Sequence, residues 1–321
     1  MGLDPKSANT HLKKIINAVD GNSAGHSSIV ASWRRSFYYH GVQPESTRKA
    51  LVLTHAELTD IRHRRDRLIY VARPILEDLF RSVGLSGFTV VLSDKSGVLL
   101  DKISNDYDEP DFENAGLRLG SIWSEDHQGT NAIGTVAVDA RPMVVFKDQH
   151  FRCSVTELTC VGAPIFDLRG ELIGVLDVTS ARADTQAETA KFLLPIITST
   201  ANRIESEYFR ACFDHANIVV ANGYSKIGTP LLAADDDDLI IGANRAARKL
   251  LDIDQDIFAN PVPRRDLLDQ DSGPRGLEAA ERRAIRRAIA RNGGNMSKAA
   301  KDVGVSRATF YRMLDRHGLK D

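Results

Sequence analysis

The C-terminal stretch, residues 276–321, constrains this chain more than any other segment. Asn295-Met-Ser-Lys-Ala-Ala-Lys-Asp-Val-Gly-Val-Ser-Arg-Ala-Thr-Phe-Tyr-Arg-Met-Leu314 has the layout of a helix-turn-helix. Ala299, Ala300 and Val303 share one side of a short first helix, and Gly304 gives the backbone freedom that the turn requires. Val305 plugs the core, Ser306 can cap the second helix, and Phe310, Met313 and Leu314 continue its apolar face. Arg307, Thr309, Arg312 and Arg316 are then left to point outward. Guanidinium forks so placed can pair with guanine edges or phosphates in a major groove.

An amphipathic helix is expected before this motif, from Leu277 to Arg291. Leu277, Ala280, Ala284, Ile285, Ala288 and Ile289 recur at helical spacing, while Arg282, Arg283, Arg286, Arg287 and Arg291 load the other faces. Gly293-Gly294 ends it, and Asn295 can cap the next helix. Residues 275–321 hold twelve Lys/Arg against five Asp/Glu, a surplus of seven in a chain whose formal net charge is −1. Positive charge concentrated in this way is the electrostatic footprint of a nucleic-acid binder.

A length of 321 residues predicts two or three domains. Hydrophobic content of 42% supplies enough apolar mass for a substantial core, and no run of eighteen apolar residues suggests a membrane span. Three cysteines give no disulfide framework, and with no signal-peptide layout at the N-terminus a cytoplasmic protein is expected.

Residues 1–83 are expected to be a helical region. Within it Trp33 and Phe37 anchor a bundle, and the capping box Thr54-His-Ala-Glu57 opens one long helix bearing Leu58, Ile61, Leu68, Ala72, Ile75 and Leu79. Residues 84–213 change to strands and tight turns: Phe88–Ser93, Val98–Ile103, Ile133–Val138, Met143–Phe146, Val161–Phe166 and Leu172–Val178. A helix from Gln186 to Phe213 closes this α+β unit despite Pro195. Residues 214–252 form a smaller unit whose run Asp235–Asp238 fits a solvated turn better than a metal site, and the Pro- and Asp-bearing stretch 253–275 is expected to be a linker.

Two resemblances follow from particular residues. Gly294-Asn295, Ala299-Ala300, Gly304-Val305-Ser306-Arg307 and Tyr311-Arg312 resemble the Fis-type helix-turn-helix that ends many bacterial transcription regulators. That resemblance implies a homodimer on double-stranded DNA with a roughly palindromic operator. Arg307, Thr309 and Arg312 would meet base edges or adjacent phosphates, with Ser306, Lys298 and Arg316 on the backbone. In the rest of the chain the segments run in family order: Ser32-Trp-Arg-Arg-Ser36, Val90–Asp94, Gly97–Asp101, Trp123-Ser-Glu125, Gly129–Thr135, His150-Phe151, Cys160, Pro164–Asp167 and Gly174–Val178. They resemble the GAF sensor of acetoin-operon activators of the AcoR type. The fold class so implied is α+β, a GAF-like antiparallel sheet flanked by helices. A small PAS-like fragment over 214–252 and an all-α Fis-type module at the C-terminus would follow it. An unknown small-molecule effector is implied, with Trp123, Thr130, Asn131, Phe146, His150 and Cys160 as candidate pocket residues; no cofactor is identified.

Activators of this type carry a central ATPase domain, which needs a Gly-x-x-x-x-Gly-Lys-Ser/Thr loop. The nearest string, Gly21-Asn-Ser-Ala-Gly-His-Ser-Ser28, lacks the lysine, and residues 252–276 leave no room for such a domain. Action without ATP hydrolysis is expected, by recruitment of RNA polymerase or by repression. Two other readings stay open: a Fis-like architectural DNA-bending protein, and a GAF-based redox sensor or enzyme relying on Cys153 or Cys160, which with His127 and His150 form the one cluster resembling a metal or thiol site. Glu125, Asp126 and His127 form an acid/base-like trio without an accompanying nucleophile, so no catalytic residue is assigned and an enzyme is not expected.

Overall fold

The computed structural model describes residues 5–21, 27–46, 48–253, 256–268 and 276–319. Two units emerge, Met1–Leu267 and Leu268–Asp321. Residues 254–255 and 269–275 of the expected linker, and most of the Gly21–Ser28 string, lie outside the described residues.

The first unit opens with helices α1 (Pro5–Asp20) and α2 (Ser28–Arg34), the latter running into a π-helical turn, Arg35–Tyr39. Helices α3 (His55–Arg64) and α4 (Asp66–Val83) follow. The Thr54–Glu57 capping box forms as expected. The single long helix does not: it breaks at Arg65, and α3 buries none of its residues, whereas α4 buries Leu68, Ala72, Ile75, Leu76, Leu79 and Val83.

Strands β1 (Phe88–Asp94) and β2 (Leu99–Ile103) lead to helices α5 (Glu109–Ala115), α6 (Glu125–Gln128) and α7 (Ala132–Asp139). Strands β3 (Met143–Phe146), β4 (Thr159–Phe166) and β5 (Leu172–Ser180) and the long helix α8 (Ala187–Cys212) complete the unit's main body. The strands form one antiparallel sheet in the order β2-β1-β5-β4-β3. Residues 133–138, expected as a strand, are helical. Asn131 caps α7 by accepting from the Gly134 N–H at 2.9 Å, and burial of Ile133 and Val136 outweighs the β-propensity of the run.

Register explains why the strands read as continuous apolar runs. Val178 lies opposite both Val90 and Val161, and these point to one face together with Leu92, Ala163, Ile165 and Leu176, packing under α4 and α8. Val91, Val145 and Cys160 point to the other face, with Asp177 opposite Val91 and Thr179 opposite Cys160. This second face packs against Phe112, Leu117, Trp123, Ala132 and Ile133. Gly162 lets α7 approach closely: a Cβ there would stand 3.1 Å from Val136 Cγ2.

A second sheet, β6 (Asn217–Val220), β7 (Leu231–Ala234), β8 (Leu239–Ala243) and β9 (Val262–Pro263), is antiparallel in chain order, with helix α9 (Arg245–Leu250) after β8. Residues 262–268, read from the sequence as linker, instead supply β9 and helix α10 (Arg264–Leu268). The four-aspartate run is a turn in which Asp235 Oδ1 accepts from the N–H groups of Asp237 and Leu239. Among the described residues no cluster of His, Cys, Asp or Glu is arranged to hold a metal ion, and no helix is long and apolar enough to cross a membrane.

The second unit is helical: α11 (Leu277–Arg291), α12 (Met296–Asp302) and α13 (Arg307–Arg316). Ile285, Ala288, Ala299, Ala300, Phe310, Met313 and Leu314 make its core. Leu277, Ala280 and Ala284, expected on the buried face of α11, are exposed within this unit.

Candidate functional site

The helix-turn-helix is built by local chemistry that the sequence announces. Asn295 Oδ1 accepts from the Lys298 N–H at 3.1 Å and starts α12. Gly304 takes φ 77°, a left-handed conformation that a side chain would strain, and turns the chain. Ser306 Oγ accepts from the Thr309 N–H at 3.2 Å and starts α13. Arg307, Arg312, Ser306 and Lys298 are exposed, and Thr309 is half-buried with its hydroxyl 2.8 Å from that of Ser306. The Arg307 guanidinium lies over the Tyr311 ring at 5.7 Å from its centroid. Arg316 differs from these: it binds Glu281 Oε1 at 2.8 Å, while His317 Nε2 meets Oε2 of the same carboxylate at 3.0 Å. Both contacts tie the end of α13 to α11, so Arg316 has a structural task inside the module.

In the sensor unit the candidate residues divide. Trp123, Asn131 and Cys160 line a narrow internal space between α7 and the sheet, together with Leu117, Ala132, Ile133, Asp177 and Thr179. The walls stand too close to admit a water-sized sphere. Phe146 is half-buried outside this wall, with Lys147 Nζ 5.3 Å from its ring centroid. Thr130 is fully buried beneath α2 and takes part in a separate polar knot. There Ser32 donates to Glu125, while the hydroxyls of Thr130 and Thr135 lie 2.6 and 3.1 Å from Ser32 Oγ. Arg35 grips the buried Glu125 with two 2.8 Å hydrogen bonds and reaches Asp139 at 3.0 Å. The acid/base-like trio is therefore not one site: Glu125 is consumed by an ion pair, and His127 with Asp126 is on the surface.

His150 lies behind the wall and touches it through Cys160. Its Nδ1 donates to the Lys147 carbonyl at 2.9 Å, which leaves Nε2 to accept from the Cys160 thiol at 3.3 Å. Burial holds the imidazole down to about 4, so it is neutral, and pushes the Cys160 thiol well up. Thr179 Oγ1 donates to Asp177 Oδ2 at 2.6 Å and lies 3.1 Å from Cys160 Sγ. Burial raises the Asp177 carboxyl to about 7. Asp177 and Thr179 were not singled out in the sequence. The available signal was an acid inside the apolar run Gly174-Val-Leu-Asp-Val178. Cys153 and Cys160 are both free and buried, and Cys153 faces the Ala8 carbonyl.

Residues 10–206 match the family described as MimR, N-terminal domain. The chain belongs to the MimR N-terminal domain family. Residues 276–317 match a second family, described as Bacterial regulatory protein, Fis family. Among the relatives of this MimR-type chain, the Acetoin catabolism regulatory protein of Cupriavidus necator is 30% identical over 240 residues, 73% of this chain and 36% of that protein. The Propane 2-monooxygenase operon transcriptional activator MimR of Mycolicibacterium smegmatis is 25% identical over 207 residues, 62% of this chain and 32% of that protein. The chain thus spans about a third of the length of these curated relatives. The Escherichia coli DhaR(N)-DhaL complex shares the fold, with a TM-score of 0.52 and 17% identity over 81% of this chain and 86% of that one. The AcoR-type resemblance and the mixed helix and antiparallel-sheet class agree with these matches.

Proposed function

We propose that this chain is a ligand-responsive, sequence-specific, DNA-binding transcription regulator that works as a homodimer without ATP hydrolysis. The observation that carries the reading is the exposed cationic face of α13, with Arg307 and Arg312 set on a doubly capped helix-turn-helix whose segment matches the Fis family. Arg307, Thr309 and Arg312 read base edges or neighbouring phosphates, and Ser306 and Lys298 hold the backbone. Arg316 contributes positive potential from its place beside Glu281. The exposed Leu277, Ala280 and Ala284 on α11 offer an apolar stripe to a second copy of the same module, which supports the homodimer. Its relatives are transcriptional regulators by name, which supports a non-enzymatic role, with RNA polymerase as a downstream partner. Residues 1–83 and 84–213 act as the sensing part, and the compartment is the cytoplasm.

Footprinting of the purified chain on fragments of its own genome tests this reading. Protection of one or a few two-fold related sites is the expected result. Protection at many degenerate sites would favour the architectural reading, and no protection at all would end both. The redox reading has less support, because Cys160 is buried with its thiol strongly protonated and Cys153 is paired with no second thiol.

A further inference from the structure

Helix α13 carries two stripes that follow from its period. Thr309, Arg312 and Arg316 recur at i, i+3 and i+7 on the outward side, with both arginines exposed. Phe310, Met313 and His317 recur at the same spacing on the buried side. Glu281 of α11 sits on the seam between the two. Its Oε1 accepts from Arg316 Nη2 at 2.8 Å and its Oε2 from His317 Nε2 at 3.0 Å, so one carboxylate takes a residue from each stripe. The His317 side chain is only 1% exposed and that of Glu281 24%, which shields this arm of the clasp from water.

The core that α11 and α13 share, Ile285 and Ala288 with Phe310, Met313 and Leu314, is apolar. Apolar contact is non-directional, and the crossing angles it favours scatter by about 15–20°. Charge-assisted hydrogen bonds are short and directional by comparison. Successive residues of a helix point about 100° apart, so a carboxylate bound at both 316 and 317 keeps α13 from turning about its own axis. Arg312 lies one turn before Arg316 on the same stripe, and the clasp therefore sets which way Arg312 faces. On α11, Glu281 lies one turn after Leu277 and three residues before Ala284, beside the exposed apolar stripe.

We infer that Glu281 is a positioning residue for DNA recognition. By fixing the rotation of α13 on α11, it sets the distance and angle at which two copies of the module present their recognition helices. The half-site spacing that the pair accepts is set with them. This role rests on the homodimer reading above and gives it a residue that governs spacing rather than base identity. A carboxylate this close to the reading face opposes phosphate binding, so its value there lies in geometry and not in charge.

The test uses the full chain and three duplexes: the site that footprinting protects, and the same site with one base pair added or removed between its halves. One base pair changes the separation by about 3.4 Å and turns one half by about a tenth of a turn. Anisotropy titrations give the affinities of the wild type, Glu281→Ala and Glu281→Gln, with circular dichroism to check each fold. The wild type should prefer the native spacing by about tenfold or more. Glu281→Ala should reduce that preference to about twofold or less, while binding random DNA no more weakly, since a negative charge is gone and Arg316 is released. Glu281→Gln keeps one acceptor for Arg316 and should fall between the two. An Ala variant that loses the same factor on all three duplexes overturns the inference, because a weakened fold does that without touching spacing. If Glu281→Ala does not fold, Glu281→Gln decides: a reduced preference supports the positioning role and an intact one overturns it. No protected site, or a wild type indifferent to spacing, ends the homodimer reading and the positioning role together. A selective wild type whose variants stay equally selective ends the positioning role alone.

Discussion

Arg35 clasps Glu125 through two parallel hydrogen bonds, Nε to Oε2 and Nη2 to Oε1, both 2.8 Å. The carboxylate is buried, and Ser32 donates to it as well. This fork joins the turn after α2 to α6, two segments ninety positions apart. It accounts for both the Ser32-Trp-Arg-Arg-Ser36 and Trp123-Ser-Glu125 motifs as structural, since one half of the clasp has no purpose without the other. Reciprocal hydrogen bonding to the guanidinium raises Arg35 above its ordinary value.

Removing one partner of such a pair costs more than removing both. Arg35→Ala should destabilise the sensor unit by on the order of 3 kcal/mol, because Glu125 is left buried and uncompensated. Glu125→Gln added to Arg35→Ala should restore a good part of that loss. Urea unfolding of the two variants against the wild type checks it. A double variant no more stable than Arg35→Ala alone would show that the pair is not what holds α2 to α6.

Gly134→Ala probes the same junction from the other side. A Cβ on residue 134 would sit 2.6 Å from both the Glu125 nitrogen and the Trp123 oxygen, which are backbone atoms that no rotamer change can clear. A methyl group normally favours a helix over glycine by about 1 kcal/mol. Here the clash should reverse the sign and cost about 2 kcal/mol or more. Thermal unfolding monitored at Trp123 would report it, and an unchanged or raised Tm would contradict the close approach of α6 and α7.

These residues show what could be read in advance. β3 is found at Met143–Phe146 as expected, and Asn295 and Ser306 cap the helices they were expected to cap, because capping depends on neighbours in sequence. α7 was misread as a strand because Ile133, Val136 and Val138 mimic one, and the decisive fact, a sheet waiting beneath it with Gly162 at the contact, is not local. Three of six candidate pocket residues line the internal space. Thr130 and His150 are buried for other reasons, one under Ser32 and one behind Cys160, and Phe146 stands apart. Asp177 could have been suspected as an acid in an apolar strand, whereas the Arg35–Glu125 clasp left no spacing signal at all.

Asp177 gives the sensor a distinct pH dependence. Burial lifts its carboxyl from 3.8 to about 7, so the folded state holds a proton that the unfolded chain has released over that interval. The stabilisation from this proton is complete below the unfolded value and fades as pH rises toward about 7. Glu205, also raised to about 7 by burial despite Arg245, acts with the same sign, whereas His150, held down to about 4, acts with the opposite sign, so the Asp177 contribution is read as the difference between wild type and variant. Asp177→Asn cannot titrate and should lack that contribution, gaining on the wild type most at the high end. Tm measured across this range for both proteins decides it; parallel curves would mean that Asp177 is not protonated in the fold.

Arg312 is the sharpest probe of the DNA-reading face. It is exposed on α13, one turn beyond the half-buried Thr309, on the helix that a helix-turn-helix inserts into a major groove. If its fork pairs with a base edge, Arg312→Ala should weaken binding to the protected site by about 1–3 kcal/mol per contact and relax specificity at one position. Binding to random DNA should fall far less, by the share of one cation in the counterion term. Lys298→Ala, on α12, should weaken both kinds of DNA nearly alike and make the salt dependence shallower by about one unit. Electrophoretic mobility or anisotropy titrations at several salt concentrations separate the two patterns. If Arg312→Ala behaves as Lys298→Ala does, Arg312 holds the phosphate backbone, and base reading falls to Arg307 and Thr309.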